Sequence, residues 1–324
     1  MLSDHTTKPP MVSVVIPVFN AELYLKRALE SMLSQTLNEI EIICIDDGST
    51  DDSLKILQEF QAVDDRLIVV SQANAGAATA RNLAIEMARA EFVATLDADD
   101  YCSPHRLETQ LEFLQRNPEC VAVGSFAEIV DEYERSITVV TTPTEHSDLD
   151  TRAFKYGECA MCGPALMYRR SALIQVGGYR EQYNFVEDFD LFFRLAEVGK
   201  LACLPDVLYY YRQLPTSICR TKKKEQRILI EKCIQETCQR RGLGLDKKAS
   251  LPRFLPYEIS TSRHYVNVAV QSILGGNPKT AQANAFRALQ HQPWHPFPWA
   301  AFALSFMPSS VTRSLVQNVF GRDV

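Results

Sequence analysis

The sequence predicts an α/β fold: a mostly parallel sheet flanked by helices, with a helical C-terminal extension. Three observations carry this. Short apolar runs alternate with segments of helical period, polar residues gather just past those runs, and the rear of the chain reads as helix. The strand runs are residues 12–16, 40–45, 67–70 and 91–96. Between them, Leu25, Leu29, Met32 and Leu33 mark one face of a first helix, Leu54, Leu57 and Phe60 a second, and Ala80, Leu83, Ala84 and Met87 a third. Each connection has the length of a parallel crossover. In such sheets ligands bind at the carboxyl ends of the strands. Those ends carry Phe19-Asn20, Asp46-Asp47-Gly48 and Asp97-Ala98-Asp99.

After residue 104 the alternation loosens. A helix is expected from Pro104 to about Arg116, then short strands at 120–124, 126–130 and 137–140, parted by Asp131-Glu132-Tyr133. This favours a mixed or antiparallel extension. From 149 to 211 come a polar loop, a strand near 165–168, Gly177-Gly178 and a helix beginning near Glu187. Residues 222–241 read as a helix. The tail from 260 is helical, broken at Gly275-Gly276-Asn277-Pro278, so that 264–290 resembles a single helical hairpin. No long internal repeat is evident.

A chain of 324 residues holds one large or two ordinary domains, and 46% hydrophobic with 23% charged residues excludes dominant disorder. The first ten residues, with Asp4, His5, Lys8 and Pro9-Pro10, read as a loose leader and not as a signal peptide, which points to the cytoplasm. The nine cysteines agree: they are scattered, and Cys44 and Cys203 lie in apolar runs. Cys159-x-x-Cys162 has redox or zinc spacing, but no second pair completes a tetrahedral site. The net charge of −6 hides an acidic front, a poor nucleic-acid binder, and a basic stretch with Arg220, Lys222, Lys223, Lys224 and Arg227. That stretch is either a site for anionic partners or a solvated helix face. Between Arg287 and Arg313 there is no formal charge, and Trp294, Phe297, Trp299, Phe302 and Phe306 lie among four prolines. Trp299 to Met307 is too short to span a bilayer, which takes ~20 apolar residues. Such a segment either rests on a membrane surface or packs on the front domain.

The most informative stretch is Thr95-Leu96-Asp97-Ala98-Asp99-Asp100, three carboxylates straight after an apolar run. Crowded carboxylates repel unless something cationic sits between them, and Asp97 and Asp99, at i and i+2, can turn toward one ion. One reading is a divalent Mg²⁺ or Mn²⁺ held with the phosphate oxygens of a nucleotide. The other is a solvated acidic loop capping the next helix through Asp100 or Ser103, just before Pro104.

Taken together, several segments resemble the family 2 glycosyltransferases of the GT-A, Rossmann-like fold. They are Val14-Val15-Ile16-Pro17-Val18-Phe19-Asn20, Ser34-Gln35-Thr36, Ile45-Asp46-Asp47-Gly48-Ser49-Thr50-Asp51, Asn74-x-Gly76, Ala80-Arg81-Asn82 and Leu96-Asp97-Ala98-Asp99-Asp100. Gly163-Pro164-Ala165-x-x-x-Arg169-Arg170, Val176-Gly177-Gly178-Tyr179 and Glu187-Asp188-Phe189-Asp190-Leu191-x-x-Arg194-Leu195 extend the resemblance to about residue 212. It implies a leader at 1–10, a catalytic domain at 11–215 and a helical C-terminal region at 216–324. The catalytic domain divides into a nucleotide-binding half at 11–100 and an acceptor half at 101–215.

By this resemblance the donor is a nucleoside-diphosphate sugar, a UDP-sugar for preference, bound by Pro17, Phe19, Asn20, Asp47, Arg81 and Asp97. Asp47 accepts a hydrogen bond from the nucleobase, and the Pro17-Val18-Phe19 turn flanks it. Arg81 binds the diphosphate or steadies the acidic cluster, the alternative being a structural ion pair with Asp46 or Asp97. Asp97 and Asp99 hold Mn²⁺ or Mg²⁺. Asp188 is the catalytic base of an inverting displacement; without the resemblance it reads as an acid favoured at a helix N-terminus. Glu187 and Gly163 face the acceptor, a glycan or lipid-linked species in cell-surface polysaccharide synthesis. The family often shows Tyr-Arg-x-His-x-x-Ser, but this chain has Tyr211-Arg212-Gln213-Leu214-Pro215-Thr216-Ser217. Leu214 cannot ligate a metal, so any histidine role there is lost or taken over by Arg212 or Ser217.

The sequence leaves three rivals open. A metal-dependent nucleotidyltransferase making sugar nucleotides would use an early Gly-rich, Arg-containing loop, which is lacking. A receiver-like signalling module would be much shorter. A folded but non-catalytic sugar-nucleotide binder would keep the pocket without the transfer. The location expected is cytoplasmic, with peripheral contact at the inner membrane face through the C-terminal region.

Overall fold

Strands form in the front of the chain where nearly every side chain is apolar. In the computed structural model, which describes residues 9–157, 160–243 and 261–320, β1 (Val12–Val18) and β2 (Ile40–Asp46) are buried almost throughout. Residues 1–8 of the expected leader, and Cys159, lie outside the described residues. Cys162 is half-buried.

Helix α1 (Leu25–Leu33) buries Leu25, Ala28, Leu29 and Met32, the stripe that its apolar spacing predicts. α2 (Ser53–Gln61) leads to β3 (Leu67–Ser71), and α3 (Ala77–Met87), which buries Ala80, Arg81 and Ala84, leads to β4 (Phe92–Thr95). β1 pairs in parallel with both β2 and β4, and β2 with β3. In this register Val18 lies opposite Asp46, and Asp46 opposite Ser71. The polar strand ends therefore sit abreast, at the carboxyl edge where ligands bind.

The chain continues through β5 (Tyr101–Cys102), α4 (Arg106–Arg116), β6 (Cys120–Val130), β7 (Ser136–Val140), α5 (His146–Tyr156), β8 (Met167–Arg169) and α6 (Arg170–Gln175). Then come α7 (Glu187–Leu195), β9 (Lys200–Arg212), α8 (Ile218–Thr221) and α9 (Lys223–Arg240). The tail adds α10 (Thr261–Leu274), α11 (Pro278–His291), α12 (Pro296–Leu304) and α13 (Ser309–Phe320). The strand order is β3-β2-β1-β4-β8-β6-β9-β5, with β7 on β6. β8 is antiparallel to β4 and β6, and β7 is antiparallel to β6, so the extension is mixed as expected. The strands expected at 120–124 and 126–130 are one continuous strand: Ser125 is buried and its hydroxyl bonds to the Phe126 carbonyl.

The described chain divides into two compact units. The first comprises Met1–Phe126, Thr141–Tyr209 and Gln226–Pro252, and the second Ala127–Val140, Tyr210–Glu225 and Arg253–Val324. The core of the first includes Val15, Ile43, Ala80, Ala84, Tyr168, Tyr179 and the α7 residues Phe189, Phe192 and Phe193. In the second, Val266, Ala269 and Val270 of α10 meet Ala281, Ala285 and Ala288 of α11, with Ala301, Leu304 and Val316 behind them. The alanines let the two helices of the predicted hairpin come close. Arg212 is buried here, on the carbonyls of Asp131 and Glu132 and the carboxylate of Glu134. Leu214 is buried, and its N–H donates to the Ser217 hydroxyl. Among the described residues no helix is long and apolar enough to cross a membrane.

Candidate active site

The site begins where β4 runs out. One oxygen each of Asp97, Asp99 and Asp100 lies within 4.8 Å of the others, in a turn closed by the Asp100 N–H donating to the Asp97 carbonyl. Asp97 and Asp99 are partly open to solvent, whereas Asp100 is buried and accepts 2.8 Å from the Tyr209 hydroxyl. Of the two expected caps, Asp100 turns toward Tyr209, while the Ser103 hydroxyl accepts from the His105 N–H at 3.4 Å, just ahead of α4, which starts at Arg106. Arg81 meets the turn at Asp97, and the Tyr209 phenol meets it at Asp100. The open side of the turn offers hard oxygen donors in excess negative charge, a donor set that fits Mg²⁺ or Mn²⁺.

Arg81, projecting from α3, ties this turn to the start of α7. It is almost fully buried, with one terminal nitrogen 2.7 Å from Asp97 Oδ1 and the other 2.8 Å from Glu187 Oε1. Burial works against its charge, but Asp97, Asp188 and Glu187 outweigh that and hold its pKa above the usual arginine range. Its ion-pair partners are Asp97 and Glu187. The Nε of Arg81 and Oε2 of Glu187 are buried without a hydrogen-bond partner.

Asp188 follows Glu187 in the first turn of α7. Burial raises its pKa first, and the neighbouring charges of Glu187 and Asp97 add to this. Against the pull of Arg81 and a hydrogen bond from Tyr179, the carboxyl is pushed up to about 7. Such a group exchanges a proton near neutral pH. Gly163 lies directly against it, and a Cβ there would overlap the Asp188 carboxyl. The Gly163 carbonyl accepts from the Thr95 hydroxyl at the end of β4. Beside this carboxyl, the Tyr179 hydroxyl is 3.4 Å from that of Tyr168.

At the other strand ends, Asp47 is buried and accepts three hydrogen bonds: 2.7 Å from Gln72 Nε2, 2.8 Å from the Ala75 N–H and 2.8 Å from the Gly76 N–H. It therefore pins the loop that opens α3. Asp46 accepts from the Ser71 hydroxyl and the Ser49 N–H. Asn20, at φ 50°, accepts from the Thr50 N–H at 2.8 Å and donates from its own N–H to the Ser49 hydroxyl. Pro17 is half-buried beside them, and the Phe19 ring is 52% exposed, an open apolar face at the strand edge.

The glycosyl transferase family 2 sequence model matches residues 13–177, the span that contains every strand-end acid described above. The chain belongs to this family. An uncharacterized glycosyltransferase of Haemophilus influenzae is 29% identical over 253 residues, covering 74% of this chain and 77% of that one. Chondroitin synthase of Escherichia coli is 30% identical over 201 residues, 62% of this chain and 28% of the synthase. Among solved structures, S. aureus TarS 1–349 in complex with UDP-GlcNAc gives a TM-score of 0.58 at 20% identity, covering 95% of this chain and 92% of that one. The mannosyltransferase PcManGT of Pyrobaculum calidifontis, in complex with GDP-Man and Mn²⁺, gives 0.54 at 16% identity over 98% and 89%. The fold of this glycosyltransferase is GT-A.

Several residues that shape the glycosyltransferase site escape sequence reasoning. Tyr209 touches the acidic turn from β9, over a hundred positions away. Arg106, fully buried, donates to the carbonyls of Thr95, Pro164 and Leu166, joining the end of β4 to the turn beside Asp188. Asn82 holds both the N–H and the C=O of Tyr179 at 2.8 Å, so two of the recognised motifs meet there. Gly178, at φ +65°, leaves the room that Asn82 occupies. The signal for Asn82 was present as its motif; for Tyr209 and Arg106 there was none.

Proposed function

We propose that this glycosyltransferase moves a sugar from a UDP-sugar to a glycan or lipid-linked acceptor of a cell-surface polysaccharide, with inversion at the anomeric carbon. The observation that carries the reading is Asp188, a carboxyl raised to about 7 and backed by the side-chain-free Gly163. In the proposed step the acceptor oxygen attacks the anomeric carbon and its proton passes to Asp188. The sugar–phosphate bond breaks, and the nucleoside diphosphate leaves with the bonding pair. Glu187 and the Gly163 backbone would face the acceptor. The structurally similar TarS, solved with UDP-GlcNAc, and the similarity to chondroitin synthase support the donor and product classes.

For the donor, Pro17, Phe19 and Asn20 would border the base and Asp97 the ribose. A carboxylate has about four lone-pair sites. Asp47 spends three of them on its loop, leaving one for the nucleobase imide. Arg81, already paired with Asp97 and Glu187, would act on the diphosphate by steadying that cluster. Mn²⁺ or Mg²⁺ held by Asp97 and Asp99 would offset the charge gathering on the departing diphosphate. The proposal includes a cytoplasmic, membrane-peripheral place of action.

The test is a panel of nucleoside diphosphates and their sugars, scored by thermal shift with and without Mn²⁺, followed by transfer to candidate acceptors with the product anomer assigned by NMR. UDP should stabilise the protein most. Asp188→Asn should keep that stabilisation and lose transfer, and full transfer by this variant would end the assignment of the base.

A further inference from the structure

We propose that the turn before α12, the outer face of α12 and the exposed side of α13 form a docking surface for an anionic lipid bilayer. This deepens the peripheral location proposed above and does not depend on the donor chemistry. Between Glu258 and Asp323 the chain contains no Asp or Glu, although its net charge is −6. Helices that face water present charged residues on their outer side. α12, with the sequence PFPWAAFAL, has none. Its inner side is used: Pro298, Ala301 and Leu304 are buried. On the other side Trp299 is 55% and Phe306 63% exposed, seven positions apart and so in line along the helix and its continuation. Met307 follows, and Trp294 in the preceding turn is 96% exposed. On α13, Val311 and Val319, eight positions apart, are also exposed.

The chemistry of these side chains selects the occupant. The Trp299 indole N–H donates 2.8 Å to the Pro293 carbonyl, so its polar atom is satisfied within the chain and the ring presents apolar surface outward. Exposed Trp and Phe on a short helix insert at the depth of lipid headgroups. No carboxylate in the segment opposes an anionic headgroup layer, and in the same unit, where Lys222 pairs with Glu225, Lys223 and Lys224 add positive charge. A twofold contact between copies is the other occupant of such an apolar face, and the test below distinguishes it.

The full chain and a Trp294→Ser/Trp299→Ser variant are floated, in EDTA, with vesicles of about 30% phosphatidylglycerol in phosphatidylcholine, and with phosphatidylcholine alone. The parent should float with the anionic vesicles, less so at high salt. The variant should partition at least about tenfold more weakly, since each lost ring removes a large apolar area. UDP thermal shift on both proteins is the control. If it is equal in both, the variant is folded and the loss belongs to this surface. If UDP stabilises neither while flotation persists, the donor reading falls and this one stands. Three results overturn the proposal: a parent that floats with neither vesicle, a variant that floats as well as the parent, or light scattering that shows a dimer dissolved by the two substitutions.

Discussion

Asp188→Asn should make the protein more stable, and the gain should grow with pH. The carboxyl ordinarily loses its proton near 3.8, but in the folded protein burial and its acidic neighbours raise this to about 7. Below the lower value the group is protonated whether folded or not, and folding costs nothing extra. Between the two values the unfolded chain gives up the proton and the folded chain keeps it, so stability falls as pH rises; above about 7 the deficit is constant. Asparagine has no proton to lose and escapes the deficit. At about 1.4 kcal/mol per unit, a shift of about three units sets a ceiling near 4 kcal/mol. The side chain is partly open to solvent, which screens it, so about half of that is expected. From pH 5 to pH 8.5, urea unfolding in EDTA should show the advantage of the variant increasing by about 1–3 kcal/mol. An advantage that stays level within about 0.5 kcal/mol across this range would refute the raised carboxyl and the crowding that produces it.

Transfer itself should rise with pH through about 7 as Asp188 deprotonates, and Tyr179→Phe, which removes a hydrogen bond that lowers the Asp188 pKa, should move that limb upward in a pH–rate profile. Gly163→Ala forces a methyl into the Asp188 carboxyl, so kcat should drop at least about tenfold while UDP-induced stabilisation persists; an unchanged kcat would show that the close approach is irrelevant. Asp99→Ala should abolish the Mn²⁺-dependent part of the UDP thermal shift, and a variant that keeps it would remove Asp99 from the metal set. Asp47→Ala strands the N–H groups of Ala75 and Gly76 and should cost about 2–4 kcal/mol in chemical denaturation, whatever it does to the donor.

The front of the molecule was readable because parallel strands covered on both faces must be nearly all apolar, so β1, β2 and β4 stand out as runs with acids at their ends. That edge marked Phe19-Asn20, Asp46-Asp47 and Asp97-Asp99 as candidates, while Arg81, on α3, and the role of each residue came only from the family resemblance. Past residue 104 the signal fades for physical reasons. The strand expected near 165–168 is present as β8, but at three residues it has no period to fix its ends, and the turn at Gly163–Ala165 is one 3₁₀ stretch. Arg106 looks like an ordinary helix-surface arginine until the fold brings three carbonyls to it. Asp100 reads as a helix cap because nothing nearby in sequence announces Tyr209. Partners far apart along the chain leave no local pattern, and hydrogen bonds among them become visible only after folding.

Arg81 bridges Asp97 on one side and Glu187 on the other with a single guanidinium. One positive charge answering to two anions makes each anion's hold depend on the other's. Whatever settles beside Asp97 weakens or strengthens the grip on Glu187, and by thermodynamic reciprocity an occupant at Glu187 acts back on Asp97 with equal strength. On the proposed assignment of donor to Asp97 and acceptor to Glu187, their affinities would be linked quantities, to be measured each in the presence of the other.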